Sequence, residues 1–222
     1  MGSTVSSTNT QIKICGLRDS DSAVAAADAG ANFLGFNFVD SSKRQISAEN
    51  CIAVLDEYRW TKKTQNDPLV VGLFRNQDPV EVNQLARAVG FDYLQLCGDE
   101  DADYISKIEL PLFKQVFVKP EWSTSDVDSE VSPFLDDGHG IVLDSFSKGF
   151  LGGSGKTFNW ESAQTVANRE KVLLAGGLNP ENVQSAVSQL SPWGVDVASG
   201  VEVDGVKDAN LIRAFIKAVR SA

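Results

Sequence analysis

Short apolar runs alternate along this chain with segments whose apolar residues have the spacing of a helix. Runs rich in Val, Ile, Leu and Phe recur about every 20 to 30 residues, and each precedes such a segment, as in βα units. The runs are apolar on both faces, as a buried parallel sheet requires. The eight predicted strands are Ile12–Gly16, Phe33–Phe38, Leu69–Phe74, Tyr93–Cys97, Phe113–Val118, Gly140–Asp144, Val172–Ala175 and Val195–Ala198.

Helices are predicted between these strands, and several have recognisable ends. Gly30 and Gly90 are expected to end two of them, and Asn179 before Pro180 is expected to begin another. The predicted helices are Asp21–Ala29, Ala48–Tyr58, Pro79–Val89, Asp101–Ile108, Asp126–Leu135, Asn159–Ala167, Pro180–Leu190 and Asp208–Val219.

Eight βα units in 222 residues predict an α/β protein with a single (β/α)8 TIM-type barrel over residues 11–222. A doubly wound open sheet is the alternative. It would place a glycine-rich phosphate turn after the first strand, where this chain has only Cys15, Gly16 and Leu17. Residues 1–10 are rich in Ser and Thr and are expected to be a disordered lead-in or a cloning remnant.

Composition narrows the classes of function. The net charge of −10 disfavours nucleic acid and anionic membranes as partners, although positioned amides could still hold a small anion. Three cysteines without a C-x-x-C pair and one histidine indicate neither a disulfide framework nor a zinc site. Without a membrane-length apolar run or an apolar surface stripe, the chain is expected to be cytoplasmic and monomeric.

Two candidate proton-transfer groups end predicted strands. Cys15 follows the first strand and Asp144 ends the sixth, so a barrel would bring both to the rim at the carboxyl ends of its strands. As a base, Cys15 needs donors or positive charge that lower its pKa; otherwise it is a small buried hydrophobe. As an acid, Asp144 needs a water-poor site that keeps it protonated; otherwise it caps local amides.

Glycine-rich loops predict a phosphate site on the same rim. Gly176-Gly177 precedes a predicted helix, and Ser199-Gly200 follows the eighth strand, where barrels often bind phosphate. Gly153 and Gly155 are added as phosphate-binding residues in a loop expected to close over a ligand beside Asp144. This loop ends in Gly-Lys-Thr, but Phe150 stands where a P-loop requires its first glycine.

Several segments together resemble the phosphoribosylanthranilate isomerase family over nearly the whole chain, from Ile12 to Val219. The phrase Phe74-Arg75-Asn76-Gln77 resembles the fungal branch of that family. The segments that resemble the family are Lys13–Leu17, Ser42–Arg44, Val71–Phe74, Gln95–Glu100, Leu143–Ser145, Gly152–Phe158, Gly176–Val183 and Val195–Glu202.

The resemblance implies an Amadori rearrangement of a phosphoribosylated anthranilate that needs no metal and no organic cofactor. It implies Asp144 as the general acid and Cys15 as the general base. It further implies that Arg44 binds the anthranilate carboxylate, a role for which the residue pattern alone left a solvated loop arginine as the alternative. Asp196 and Cys97 are expected to contact substrate.

Two positions depart from the family. Cys97 stands where the family usually has histidine, and Ala198 where it usually has serine. Each change removes hydrogen-bonding capacity, so weaker binding or slower turnover is expected. The alternatives are a non-catalytic sugar-phosphate-binding barrel and another phosphate-binding barrel enzyme.

Overall fold

In a computed structural model, eight parallel strands form a closed barrel in which each strand pairs with its neighbours in chain order and β8 pairs with β1. The structure describes residues 10–40, 42–62, 65, 67–145 and 159–222. The predicted (β/α)8 barrel is therefore confirmed. The strands are β1 (Gln11–Cys15), β2 (Phe33–Asn37), β3 (Leu69–Phe74), β4 (Tyr93–Leu96), β5 (Leu112–Val118), β6 (Gly140–Ser145), β7 (Val172–Leu174) and β8 (Gly194–Val197).

Helices cover the barrel between successive strands. Gly30 and Gly90 end α1 and α3 in the left-handed conformation, as their positions predicted. A short antiparallel hairpin, β9 (Glu202–Val203) with β10 (Val206–Lys207), precedes the last helix and was not predicted. The helices are α1 (Ser20–Ala29), α2 (Ala48–Thr61), α3 (Pro79–Val89), α4 (Ala102–Ile105), α5 (Thr124–Asp136), α6 (Val183–Leu190) and α7 (Ala209–Arg220).

The helix predicted over Asp101–Ile108 is the single turn α4 in the structure, and two further predicted helices also differ. The segment predicted as helix Asn159–Ala167 holds a 3₁₀ helix over Trp160–Ala163 and then turns. In the other, α6 begins at Val183, and the Asn179 side chain instead accepts hydrogen bonds from Glu181 N and Asn182 N at 2.8 and 3.1 Å. Asn179 thus caps a turn that precedes the helix.

Aromatic rings fill one part of the barrel interior. Phe113 makes an edge contact with Phe33, with ring centroids 5.6 Å apart, and stacks on Tyr93 at 5.3 Å, and Trp193 lies 6.2 Å from Phe33. Cys15 belongs to the same buried cluster, whereas Ile12 and Ile14, its neighbours on β1, belong to the core cluster that includes the helices. No helix among the described residues is long and apolar enough to cross a membrane.

Candidate active site

A small cavity opens where β6, β7 and β8 end. It brings together Asp144, Gly176, Gly177, Asp196 and Ser199, which the sequence placed in three separate segments. The remaining lining residues are Ala175, Leu178, Val197 and Ala198. Carboxylates and glycine-rich backbone therefore share one small space.

Asp144 is the buried acid of this cavity. Its Oδ1 accepts a hydrogen bond from Ser145 N at 2.7 Å, and its Oδ2 accepts one from Gln115 Nε2 at 2.8 Å. Burial raises the pKa of Asp144 to about 6, with Asp196 adding to the rise, although the Ser145 and Gln115 donors oppose it. A carboxyl group whose pKa lies this far above its ordinary value and close to neutral pH is suited to general acid catalysis.

Cys15 lies at the end of β1 and is also buried. Burial raises the pKa of its thiol, and Asp196 raises it further, whereas Lys13 and Lys207 lower it. The positive charge that a catalytic thiolate requires is thus present. In the ligand-free protein it does not outweigh burial, so the thiol form predominates at neutral pH.

Asp196, on β8, lines the cavity and forms an ion pair with a buried lysine. Lys13 Nζ lies 3.0 Å from Asp196 Oδ1, and the two residues are register partners on β1 and β8. Sequence reasoning treated Lys13 only as part of a family motif. The available signal was strand alternation, because Lys13 is two residues from Cys15 and so shares its face of the strand.

The glycine-rich loops approach each other and the acid closely. Gly176 and Gly177 have positive φ values of 83° and 65°, and a Cβ on Gly176 would lie 2.7 Å from Ser145 N. A Cβ on Gly200 would lie 1.9 Å from the carbonyl oxygen of Leu178. Gly200 does not line the cavity itself, but its missing side chain allows the last two rim loops to meet.

Arg44 is held by a carboxylate that sequence reasoning did not single out. Its Nε and Nη2 donate to the two oxygens of Glu202 at 2.7 and 2.8 Å. Lys207 Nζ donates to the same carboxylate and to the carbonyl oxygen of Ala198, each at 2.7 Å. The structure therefore shows Arg44 in a charged network, which excludes the alternative of a freely solvated loop arginine.

Cys97 is buried beside the site but does not line the cavity. Gln95 Nε2 lies 3.4 Å from its sulfur, and burial raises the pKa of the thiol to about 12, so it stays protonated. Gly153 and Gly155 lie outside the described residues. Within those residues, no group of three or more His, Cys, Asp or Glu side chains is placed to hold a metal ion.

The closed barrel, its buried acid and thiol, and the glycine-lined cavity at its rim define a (β/α)8-barrel enzyme. A model of the family described as N-(5'phosphoribosyl)anthranilate (PRA) isomerase matches residues 12–218. The chain belongs to this family.

Curated relatives cover almost the whole chain. The N-(5'-phosphoribosyl)anthranilate isomerase of Dehalococcoides mccartyi is 38% identical over 213 residues, which are 95% of each chain. That of Trichlorobacter lovleyi is 39% identical over 217 residues, 96% of this chain and 98% of its own. These relatives are bacterial and give no support to the fungal branch indicated by the segment from Phe74 to Gln77.

Solved structures show the same architecture. Phosphoribosyl anthranilate isomerase from Thermotoga maritima has a TM-score of 0.81 and 33% identity, covering 96% of this chain and all of its own. A second structure is a complex of the isomerase with reduced 1-(o-carboxyphenylamino)-1-deoxyribulose 5-phosphate. It has a TM-score of 0.78 and 30% identity, with the same coverage.

Proposed function

We propose that this chain isomerises N-(5'-phosphoribosyl)anthranilate to 1-(2-carboxyphenylamino)-1-deoxyribulose 5-phosphate. The observation that carries the proposal is Asp144, a buried carboxyl group with a pKa of about 6, in one cavity with the glycine-rich rim loops and Asp196. An acid, a thiol and a glycine-rich cradle on one rim match the needs of a small phosphorylated substrate.

In the proposed reaction, Asp144 donates its proton to the ring oxygen of the ribose, and the C1'–O bond breaks to give a protonated Schiff base. The Cys15 thiolate then removes the proton from C2', and the electron pair forms the double bond of an enolamine. Tautomerisation of the enolamine gives the ketone. The positive charge of the Schiff base acidifies the C2' proton. This makes proton removal easier for Cys15, whose ionisation is opposed by burial.

The substrate's charged ends match two further groups in this proposal. The phosphate lies against Gly176, Gly177 and the Ser199–Gly200 turn, together with Gly153 and Gly155. Arg44 binds the anthranilate carboxylate with donors other than the Nε and Nη2 hydrogens that face Glu202. Asp196 and Cys97 are the remaining substrate-facing candidates. No metal and no cofactor is part of the proposal, which also places the enzyme in the cytoplasm as a monomer.

Turnover of the unmodified protein tests the proposal directly. Phosphoribosylanthranilate generated in the cuvette is followed by the loss of its anthranilate-type fluorescence. Rapid, enzyme-dependent loss supports the isomerase. Tight binding of the reduced product analogue without turnover would instead identify a sugar-phosphate-binding barrel, an alternative that Cys97 and Ala198 favour. Sedimentation of the same sample tests the monomer.

The pH dependence of kcat/KM is expected to have an acid limb near pH 6. The reaction needs protonated Asp144, whose pKa is about 6, and ionised Cys15, whose pKa lies above its ordinary value. Between those two pKa values, each rise in pH gains as much thiolate as it loses protonated acid, so the rate is level. Below the pKa of Asp144 only the loss of thiolate remains, and kcat/KM falls about tenfold per pH unit.

Asp196→Asn tests whether this limb reports Asp144 or the ionisation of the substrate phosphate. The Asp196 charge raises the pKa of Asp144, so its removal is expected to move the limb to lower pH. A limb that stays in place in this variant belongs to the substrate, which would contradict the assignment to Asp144.

Glu202→Gln is expected to raise KM about 10-fold or more with little change in kcat. The amide loses the charge-assisted bidentate contact with Arg44, and hydrogen bonds to charged groups contribute about 1.5–3 kcal/mol. Glu109→Gln, which breaks an exposed pair with Arg87, is the matched control and is expected to leave KM unchanged. An unchanged KM in Glu202→Gln would show that Glu202 does not position Arg44.

A further inference from the structure

Lys13 is a buried charge near the site that the proposed reaction leaves unused. Its side chain is fully inaccessible to solvent, and its Nζ forms the 3.0 Å ion pair with Asp196 inside the barrel. A buried ion pair is costly to desolvate and often contributes little to stability. Neither proton transfer of the reaction involves an ammonium group. Stability alone therefore does not explain why this ion pair is buried here.

The position of Lys13 points to Cys15. The two residues alternate on β1 with Ile12 and Ile14, which pack in the core cluster that includes the helices, so Lys13 and Cys15 share the inner face. The positive charge of Lys13 lowers the pKa of Cys15 and so favours the thiolate. Asp196, the register partner of Lys13 on β8, lines the cavity and opposes that thiolate by its charge.

The other charged or titratable groups around Cys15 lie on different elements. Lys207, on β10, lowers the pKa of the thiol less than Lys13 does. The Arg44 guanidinium and the Cys97 thiol also interact electrostatically with Cys15. Arg44 and Lys207 share Glu202 as an ion-pair partner. Glu202 balances only one of those two positive charges, but among the charged groups Lys13 and Asp196 have the largest effects on Cys15.

We propose that the buried Lys13–Asp196 ion pair sets the ionisation of Cys15, with Lys13 favouring the thiolate and Asp196 restraining it. Lys13 is a positioning residue here, because it acts through Cys15 and not on substrate. The Asp196 carboxylate keeps the pKa of Lys13 above its ordinary value despite burial, so the lysine stays charged wherever the enzyme works. The inference rests on the proposed function only for the role of Cys15 as the base.

Alkylation of Cys15 in the folded protein measures this ionisation without substrate. Iodoacetamide reacts with the thiolate, and mass spectrometry of peptides separates Cys15 from Cys51 and Cys97. At pH values below the midpoint of the Cys15 titration, Lys13→Met is expected to slow alkylation about 10- to 1000-fold. Losing a nearby opposite charge shifts a pKa by about one to three units. Asp196→Asn is expected to accelerate it, and the double variant to lie between the two.

Opposite signs distinguish this role from a structural one. Lys114→Met breaks a second buried pair, with Glu100 at 2.7 Å, and is expected to leave the Cys15 rate unchanged. If Lys13→Met fails to fold, Asp196→Asn and the double variant still test the proposal. The double variant removes both buried charges together. Unchanged rates in these variants, or changes of the same sign in both single variants, overturn the proposal. If the variants show the expected alkylation rates but the unmodified protein does not turn over the substrate, the proposed function is contradicted and the role of Lys13 is not.

Discussion

Asp144→Asn and Cys15→Ser are each expected to reduce kcat at least about 10²-fold, the lower end for loss of a general acid or base. Asparagine keeps the size of Asp144, and its amide oxygen can still accept from Ser145 N, but it has no acidic proton to give to the ring oxygen. Serine keeps a small side chain at Cys15, but its hydroxyl ionises far less readily than a thiol. Steady-state fluorescence assays at saturating substrate measure both losses.

Cys51→Ser is the matched control for Cys15→Ser, since Cys51 is also buried but lies in α2, in the core cluster that includes the helices. It is expected to lower stability while leaving kcat within about twofold. Circular dichroism establishes that each variant is folded before its kcat is compared. Near-normal turnover in folded Asp144→Asn or Cys15→Ser would remove that residue from the mechanism.

Gly200→Ala is expected to raise KM at least about tenfold. The new Cβ would lie 1.9 Å from the carbonyl oxygen of Leu178, so the two loops that are proposed to hold the phosphate must separate. Each hydrogen bond lost to a charged phosphate contributes about 1.5–3 kcal/mol. KM and the inhibition constant of inorganic phosphate are expected to rise together, because both report the same loops.

Gly30→Ala controls for a general loss of stability. Gly30 ends α1 with a positive φ, and a Cβ there meets nothing within 4 Å. This variant is expected to unfold at lower temperature with an unchanged KM. If Gly200→Ala leaves KM and phosphate inhibition unchanged, the phosphate does not lie between these loops.

The strands were predictable because a buried parallel strand has a strong and local sequence signal. All eight predicted strands are present, with ends that differ by at most one residue. The segment from Asn159 to Ala167 has helical spacing too, yet it forms one 3₁₀ turn and further turns. Short helical segments depend on packing more than on propensity, and spacing alone does not record that packing.

The sequence predicted that Asp144, Gly176 and Gly177 meet at the rim, as they do in the cavity, but it did not predict the charges around them. Lys13 pairs with Asp196, 183 positions away, and Glu202 pairs with Arg44, 158 positions away. One sequence does not show which charges will meet across a closed barrel. Strand alternation gave a usable signal for Lys13 alone, because it stands two residues before Cys15.

The contact between β1 and β8 makes catalysis depend on the most sequence-distant pairing in the barrel. Lys13 and Asp196 are 183 positions apart, and Gln11 N donates to Trp193 O across the same seam at 2.8 Å. Contacts of such long separation carry a large loop-closure entropy and slow folding. The electrostatic environment of Cys15 is complete only once the ring is joined. During refolding, the recovery of turnover therefore reports when the barrel closes. Helical content is expected to recover before closure.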